Sequence, residues 1–338
     1  MRRALLLCAL ALLLVGCGTA AEVRERDLVS SGSAAAPPPR STAGKTRGGV
    51  RIAVVTHGQA SSGFWAIVRN GIDAAARQMD IAVTYRSPDI YSVAVMRRQI
   101  EQAIASRPDG LVVSLPSPAL GDVVRRAVRA GIPVVSINSG SDMFRRLGVL
   151  AHVGQEEEPA GEAAGRRLAA TGSRHVLCVN HEVGNAGTDM RCRGFVRAMR
   201  AAGGTARTVA VTLTDTAALQ RKIARVLGDR TIDGVLTLSA DAAAPVLAAV
   251  AATGRADRIA VGTFDLSPEV LRAVRDGRLL FAIDQQAYLQ GYLPIVLLGQ
   301  LARYGLFAAQ GEVIPTGPHF VTRATADQAL QLSQRGIR

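Results

Sequence analysis

The chain has 338 residues, of which 48% are hydrophobic and 4% aromatic, and this length suits one large or two medium α/β domains. Its formal net charge is +13. The basic residues are almost all arginines, and they are scattered along predicted helices rather than grouped in one block. This distribution argues against a nucleic-acid interface and fits an arginine-rich composition with some attraction to an anionic membrane surface.

The first residues predict export. Two arginines precede an apolar run over residues 4–15, which is too short to span a bilayer but fits the central region of a secretory signal. The run closes on Leu-Val-Gly-Cys, which resembles the lipobox of bacterial lipoproteins and implies a signal peptide over 1–16 with lipidation of Cys17; an ordinary signal peptide is the alternative. Residues 17–49 are rich in Ser, Ala, Pro and Gly without periodicity, and they predict a flexible linker.

From residue 50 onward, short apolar runs alternate with amphipathic helical patterns. The first series places apolar runs at 50–56, 81–86, 109–115 and 132–138, and a second series of similar length follows. Runs rich in Val and Ile without polar alternation are typical of parallel strands that are buried on both faces. The predicted fold class is therefore α/β, with two doubly wound parallel-sheet lobes.

The predicted strands end in polar or aromatic residues. In a doubly wound sheet, ligands bind outside the carboxyl ends of the strands. Amide, carboxylate and hydroxyl groups can pair with the hydroxyls of a polyol, and aromatic rings pack against sugar C–H groups. The alternative is that the Asp and Asn residues cap helices and the aromatic residues belong to the core. The residues in question are His57, Phe64, Trp65, Asn138, Asn180, Ser239, Asp265 and the run Asp284-Gln285-Gln286.

Seven stretches in a fixed order carry a family resemblance over about residues 50–325. They are SSGFWAIVRNGIDAAA, IASRPDGLVVSLPSP, AGIPVVSINSG, VGQEEEPAGEAAG, TDMRCRGF, VGTFDLSPEV and FAIDQQAYLQGY. With them the chain resembles the type I periplasmic sugar-binding proteins of ABC transporters, of the ribose- and galactose-binding kind. The resemblance implies a hinge of about three crossings, an N-terminal lobe of 50–153 plus 286–316, and a C-terminal lobe of 154–285 plus 317–330.

The resemblance also implies a ligand site. Matching the family motifs gives Phe64, Trp65, Asn138, Asp189, Asp265 and Gln285 as binding residues, and His57 and Ser239 are added because they end strands. The chain has Ser62 where many relatives carry Asn or Asp, and we expect it to lack the relatives' arginine near Asp189 and their asparagine near Ser239.

The function that follows is an extracytoplasmic solute-binding lipoprotein. It is expected to be a monomer held in the cell envelope, in the periplasm or on the outer face of the cytoplasmic membrane, by lipid on Cys17, to capture a monosaccharide or sugar alcohol, and to deliver it to an ABC permease and its ATPase. A ligand-sensing lipoprotein for a chemoreceptor or sensor kinase is the alternative. A lactose-repressor-type regulator is disfavoured because residues 1–49 show a signal and coil rather than a helix-turn-helix. No catalytic motif is found, so neither an enzyme nor a cofactor is predicted.

Two cysteines lie beyond the signal and Cys17. Cys178 and Cys192 form an even pair in an exported chain, which predicts a disulfide. His175 and His181 could join them in a zinc site, but side chains alternate along a strand, so these histidines would face away from Cys178. We therefore predict a disulfide and no metal.

Overall fold

The computed structural model describes residues 49–58 and 62–338. The predicted signal peptide, the lipidation site at Cys17 and the linker up to residue 48 lie outside the described residues. Among the residues that the structure describes, no helix combines the length and the hydropathy that a bilayer crossing requires.

The first lobe is built on a six-stranded sheet with the strand order β11-β5-β4-β3-β1-β2. Its strands are parallel throughout. The elements of this lobe are β1 (Arg51–Val55), α1 (Gly63–Met79), β2 (Ala82–Arg86), α2 (Val93–Ala105), β3 (Gly110–Ser114), α3 (Gly121–Arg129), β4 (Val134–Ile137), β5 (Ala151–Gly154), α9 (Ala287–Tyr304) and β11 (Val313–Pro315), with short 3₁₀ helices at Pro118–Leu120 and Arg145–Leu147.

The second lobe repeats the plan with the strand order β12-β10-β9-β8-β6-β7. Its elements are α4 (Glu157–Ala169), β6 (His175–Asn180), α5 (Ala186–Ala201), β7 (Thr205–Ala210), α6 (Thr216–Val226), β8 (Gly234–Thr237), α7 (Ala240–Ala252), β9 (Ala260–Phe264), α8 (Pro268–Arg275), β10 (Phe281–Asp284), β12 (His319–Val321) and α10 (Ala326–Gln334).

The topology confirms the predicted class of two doubly wound α/β lobes. The central strands β3, β4 and β8 are buried along their whole length, because helices cover both faces of each sheet. One detail differs from an all-parallel prediction: β12 pairs with β10 in the antiparallel sense. It can do so because the chain returns to the second sheet directly from β11, without a crossover helix.

The chain passes between the two sheets at three places. These crossings follow β5, β10 and β11, and they lie at residues 155–156, 285–286 and 316–318. The stretch that runs from β10 into α9 is thus one of the crossings, which explains why a buried strand ends in a group of hydrogen-bonding side chains. Closure of two lobes uses a few such terminal residues to absorb the rotation.

Glycines bring two helix pairs unusually close, one pair in each lobe. A Cβ on Gly194 of α5 would lie 2.0 Å from the carbonyl oxygen of Glu158 on α4, and Gly161 makes the reciprocal approach from α4. Gly71 and Gly291 do the same between α1 and α9. Each pair includes a helix that directly follows a crossing, so these contacts anchor the crossings to their lobes.

Candidate ligand-binding site

A cavity of about 490 Å³ lies between the lobes, where the carboxyl ends of both sheets face each other. In each sheet the strand order along the chain reverses at one point, between β1 and β3 in the first lobe and between β6 and β8 in the second. Ligands of doubly wound sheets bind beyond the carboxyl ends of the strands at such a point. Of the predicted site residues, the cavity is lined by His57, Phe64, Trp65, Asn138, Ser239, Asp265 and Gln285.

Asn138 and Asp265 follow β4 and β9 with left-handed backbone conformations, φ +60° and +68°. Asn and Asp tolerate this conformation better than most residues, because their short polar side chains bond locally. Neither caps a helix, so the capping alternative fails at both positions. The left-handed turn ends each strand at the cavity, with Asn138 on one lobe and Asp265 on the other.

Arg191 of α5 is the principal cation of the cavity. It is 4% exposed, and its Nε and Nη2 donate to the two carboxylate oxygens of Glu157 at 2.5 and 2.9 Å. Nη2 also donates to Gln285 Oε1 at 2.8 Å, and the guanidinium lies over the ring of Phe264. No acceptor among the described residues takes a hydrogen bond from Nη1. The guanidinium is thus fixed and charge-compensated, with one donor edge to spare.

Gln285 links this ion pair to Asp265 at the second crossing. Its Oε1 accepts from Arg191 and from Gln155 Nε2, and its Nε2 donates to Asp265 Oδ1. Burial raises the pKa of Asp265 to about 7, although Arg191 and Gln285 lower it in part. Gln155, Glu157, Arg191, Gln285 and Asp265 therefore form one continuous network from the first crossing to the cavity.

Gln290 ties the other side of the hinge together. It is fully buried on α9, and its Nε2 donates to the Gln285 carbonyl and to Thr316 Oγ1. Its Oε1 accepts from Asn138 Nδ2 at 3.4 Å. Asn138 is thereby connected to the second and third crossings, so a ligand contact at Asn138 would act directly on the hinge.

Aromatic rings form the first-lobe wall. Phe64 and Trp65 open α1 and meet edge to face with centroids 5.2 Å apart, and Trp65 also meets His57 edge to face at 5.0 Å. His57 is 4% exposed, and its Nδ1 lies 2.8 Å from Ser114 Oγ. Burial, with a smaller effect of Arg191, lowers the pKa of His57 to about 3, so the imidazole is neutral at pH 7.

The comparisons with known proteins agree with this geometry. Residues 52–305 match the family model of the periplasmic binding protein domain. The chain belongs to this family. It is 33% identical to a carbohydrate transporter from Acidothermus cellulolyticus 11B, solved in complex with myo-inositol, with a TM-score of 0.80 and coverage of 86% of this chain and 99% of that one.

Two curated relatives are more distant. The xylose/arabinose-binding protein XylF of Sulfolobus acidocaldarius is 26% identical over 80% of this chain and 71% of its own length. The D-ribose/D-allose-binding protein of Pseudomonas aeruginosa is 29% identical over 59% of this chain and 64% of its own length. The predicted resemblance to type I periplasmic sugar-binding proteins of ABC transporters is confirmed. As a member, the chain is an extracytoplasmic binding protein and not an enzyme.

Asp189 is the one predicted site residue of this periplasmic binding protein that does not reach the cavity. Its carboxylate accepts from Asn180 Nδ2 at 2.8 Å and from the backbone N–H of Gly184 at 3.1 Å. Successive residues of a helix are about 100° apart, and Thr188 and Arg191 occupy the cavity-facing side of α5. Asp189 therefore turns away and stabilises the loop between β6 and α5.

The expectation that the chain lacks an arginine near Asp189 is wrong, because Arg191 lies two residues further along and lines the cavity. Asn185, Thr188 and Arg191 follow one another at intervals of three residues, which puts them on one face of α5. That spacing was present in the sequence and could have identified them. His181, Glu182 and Asp241 also line the cavity and were missed, because nothing in their local pattern distinguishes them from loop and helix-end residues.

Ser239 has two roles. Its hydroxyl caps α7 by accepting from the N–H of Ala242, as the capping alternative predicts, and the residue also lines the cavity.

In the same lobe Cys178 and Cys192 form a disulfide that joins β6 to α5, with an S–S distance of 1.99 Å. No described group of His, Cys, Asp and Glu has the arrangement of a metal site.

Proposed function

We propose that this protein captures a neutral monosaccharide or cyclic sugar alcohol in the cavity and delivers it to an ABC permease and its ATPase. In this proposal the protein works as a monomer, tethered to the outside of a membrane by lipid on Cys17. The observation that carries it is the pairing of fixed donors and acceptors on both lobes with a wall of aromatic rings. Hydroxyl-rich rings present polar edges and apolar faces, and this cavity offers partners for both.

The electrostatics favour an uncharged ligand. Glu157 compensates Arg191, and burial lowers the pKa of His57 to about 3 and that of His181 to about 4, so neither histidine is cationic at pH 7. Glu182 also lines the cavity. A carboxylate or phosphate on the sugar would meet no uncompensated positive charge here. The free-energy cost of removing its charge from water would therefore not be offset by an ion pair.

The match to a structure that holds myo-inositol supports a cyclic polyol, and the curated pentose-binding and allose-binding relatives support monosaccharides. A thermal-shift screen decides between them. We would test myo-inositol, xylose, arabinose, ribose, allose and linear polyols at millimolar concentration, with glucuronate and glucose 6-phosphate as charged controls. A bound ligand raises the melting temperature by mass action. The proposal fails if no neutral sugar or cyclitol does so while a charged control does.

The envelope anchor is tested separately. The proposal expects the mature chain to begin at Cys17 and to carry lipid there, because the apolar run ends in Leu-Val-Gly-Cys. Mass spectrometry of membrane-extracted protein measures both, and Cys17→Ser should release the protein from the membrane fraction. Cleavage at another site without lipid would refute this part and leave the binding proposal intact.

A further inference from the structure

The two lobes also touch beside the cavity, at the start of α5. The backbone N–H of Ala186 donates to the carbonyl oxygen of Pro116 at 2.7 Å. Pro116 follows β3 in the first lobe, and Ala186 opens α5 in the second. The chain does not cross between the lobes here, so this contact can break when they separate.

Asn185, the residue that caps α5, holds most of this contact. Its Oδ1 accepts from the N–H of Gly187 within its own helix and from the hydroxyl of Ser139 of the first lobe at 3.2 Å, a proton that Ser139 shares with Asn138 Oδ1 at the same distance. Its Nδ2 donates to Glu182 Oε2 at 2.7 Å and lies 3.2 Å from His57 Nε2 of the first lobe. The side chain therefore makes two bonds inside its own lobe and two across the gap. Asn185 is 2% exposed, so water does not compete with these bonds.

The orientation of the amide is determined by its partners. Two donors, Gly187 N–H and Ser139 Oγ–H, face Oδ1, and this leaves the NH₂ group toward His57 and Glu182. His57 Nε2 must then be an acceptor, so its proton resides on Nδ1 and is donated to Ser114 Oγ. The His57 imidazole, the Asn185 amide and the Ser139 hydroxyl therefore have matching hydrogen-bond donors and acceptors across the boundary between the lobes.

We propose that Asn185 is a positioning residue that latches the two lobes together and sets how long a bound solute is retained. This inference rests on the proposed function for its solute, but the latch itself consists of contacts between protein groups. The latch borders the cavity, and separation of the lobes here requires the bonds to Ser139, His57 and Pro116 to break. Loss of two interlobe hydrogen bonds predicts dissociation roughly tenfold to a hundredfold faster.

The test is Asn185→Ser. Serine can still cap α5 through its hydroxyl, but it is too short to reach Ser139 and His57 and it has no NH₂ group. The matched control is Asp215→Ser, a cap exchange on α6 of the same lobe at an exposed position, where Asp215 bonds Ala218 and pairs with Arg221 of its own helix. Circular dichroism is used to check that both variants are folded.

Two readouts separate the latch from the proposed function. Small-angle X-ray scattering of the ligand-free protein should show a larger radius of gyration for Asn185→Ser than for wild type, with Asp215→Ser unchanged. Stopped-flow release of myo-inositol should be faster only in Asn185→Ser, and the increase should shrink when Ser139→Ala is already present. An unchanged radius and an unchanged release rate would overturn the latch. If myo-inositol does not bind, the scattering result alone decides the latch, and the ligand proposal fails by itself.

Discussion

Glu157→Gln tests the buried ion pair that organises the cavity. Glu157 is 1% and Arg191 4% exposed, and the carboxylate accepts two of the three hydrogen bonds that the guanidinium makes. Glutamine keeps the shape and one acceptor oxygen but leaves the buried charge of Arg191 without its hydrogen-bonded counter-ion, and Asp265 and Glu182 attract the cation without a direct hydrogen bond. Breaking a buried pair from one side costs about 3–5 kcal/mol. Because one acceptor remains, we expect the lower end, about 3 kcal/mol of unfolding free energy.

The neighbouring residue supplies the control. Glu158 lies one position along α4 and pairs with Arg193 and Arg197, whose side chains are 62% and 60% exposed. Exposed pairs contribute about 0–1 kcal/mol, so Glu158→Gln should cost little. Urea denaturation at pH 7.5 with linear extrapolation measures the change in unfolding free energy for both variants, Glu157→Gln and Glu158→Gln.

A double variant distinguishes the loss of the Glu157–Arg191 ion pair from the cost of leaving the Arg191 charge buried without its partner. Arg191→Met added to Glu157→Gln removes the uncompensated cation, so the double variant should be more stable than Glu157→Gln alone. The reasoning is refuted if Glu157→Gln costs no more than Glu158→Gln, or if Arg191→Met destabilises the Glu157→Gln protein further.

Three other predictions concern packing, pH and the disulfide. Gly194→Ala should destabilise by about 1–3 kcal/mol in urea denaturation, because its Cβ would lie 2.0 Å from a carbonyl oxygen of the facing helix, whereas Gly63→Ala has open space and should be neutral. Burial lowers the pKa of three histidines to about 3–4, so the unfolded state takes up protons first and stability should fall as the pH drops from 6.5 toward 4. Each contributes about 1.4 kcal/mol per pH unit. Burial raises the pKa of Asp265 to about 7 and also raises the pKa of Asp241 and Asp284, and these carboxyls oppose the histidines in part. His152→Gln should remove one proton from the uptake measured by urea titrations at several pH values; an unchanged slope would contradict this. Replacing Cys178 and Cys192 together by alanine should cost about 3 kcal/mol, and two reactive thiols in the untreated wild-type fragment 49–338 would show that the bond is absent.

The sheets were predictable from local pattern. The apolar runs at 110–114 and 134–137 are buried on both faces, and parallel strands under helices require that composition. The hinge strands β5, β11 and β12 were not predicted as strands. They have only three or four residues each, and each forms by pairing with a strand that only the tertiary fold brings alongside it: β5 with β4, β11 with β5, and β12 with β10.

The site was predictable where a strand end fixes the direction of a side chain. Asn138 and Asp265 follow their strands immediately, so their position in the sheet determines that they face the cavity. Asp189 lies inside a helix, where a shift of one residue rotates the side chain by about 100°, so its direction could not be read from a strand end. Glu157 could not be inferred from the sequence, since its partner Arg191 is distant in the chain and the two meet only through the close packing of α4 on α5.

Isothermal titration calorimetry of myo-inositol, or of the sugar with the largest thermal shift, into wild type, Asp265→Asn and Asn138→Asp tests the central claim most directly. Both substitutions keep the shape and tolerate the left-handed backbone, so folding should be retained. The account predicts one site per chain in wild type and a loss of affinity of at least tenfold in each variant, because a buried donor or acceptor would be left unpaired. Wild-type affinity in both variants, with melting temperatures unchanged, would contradict it.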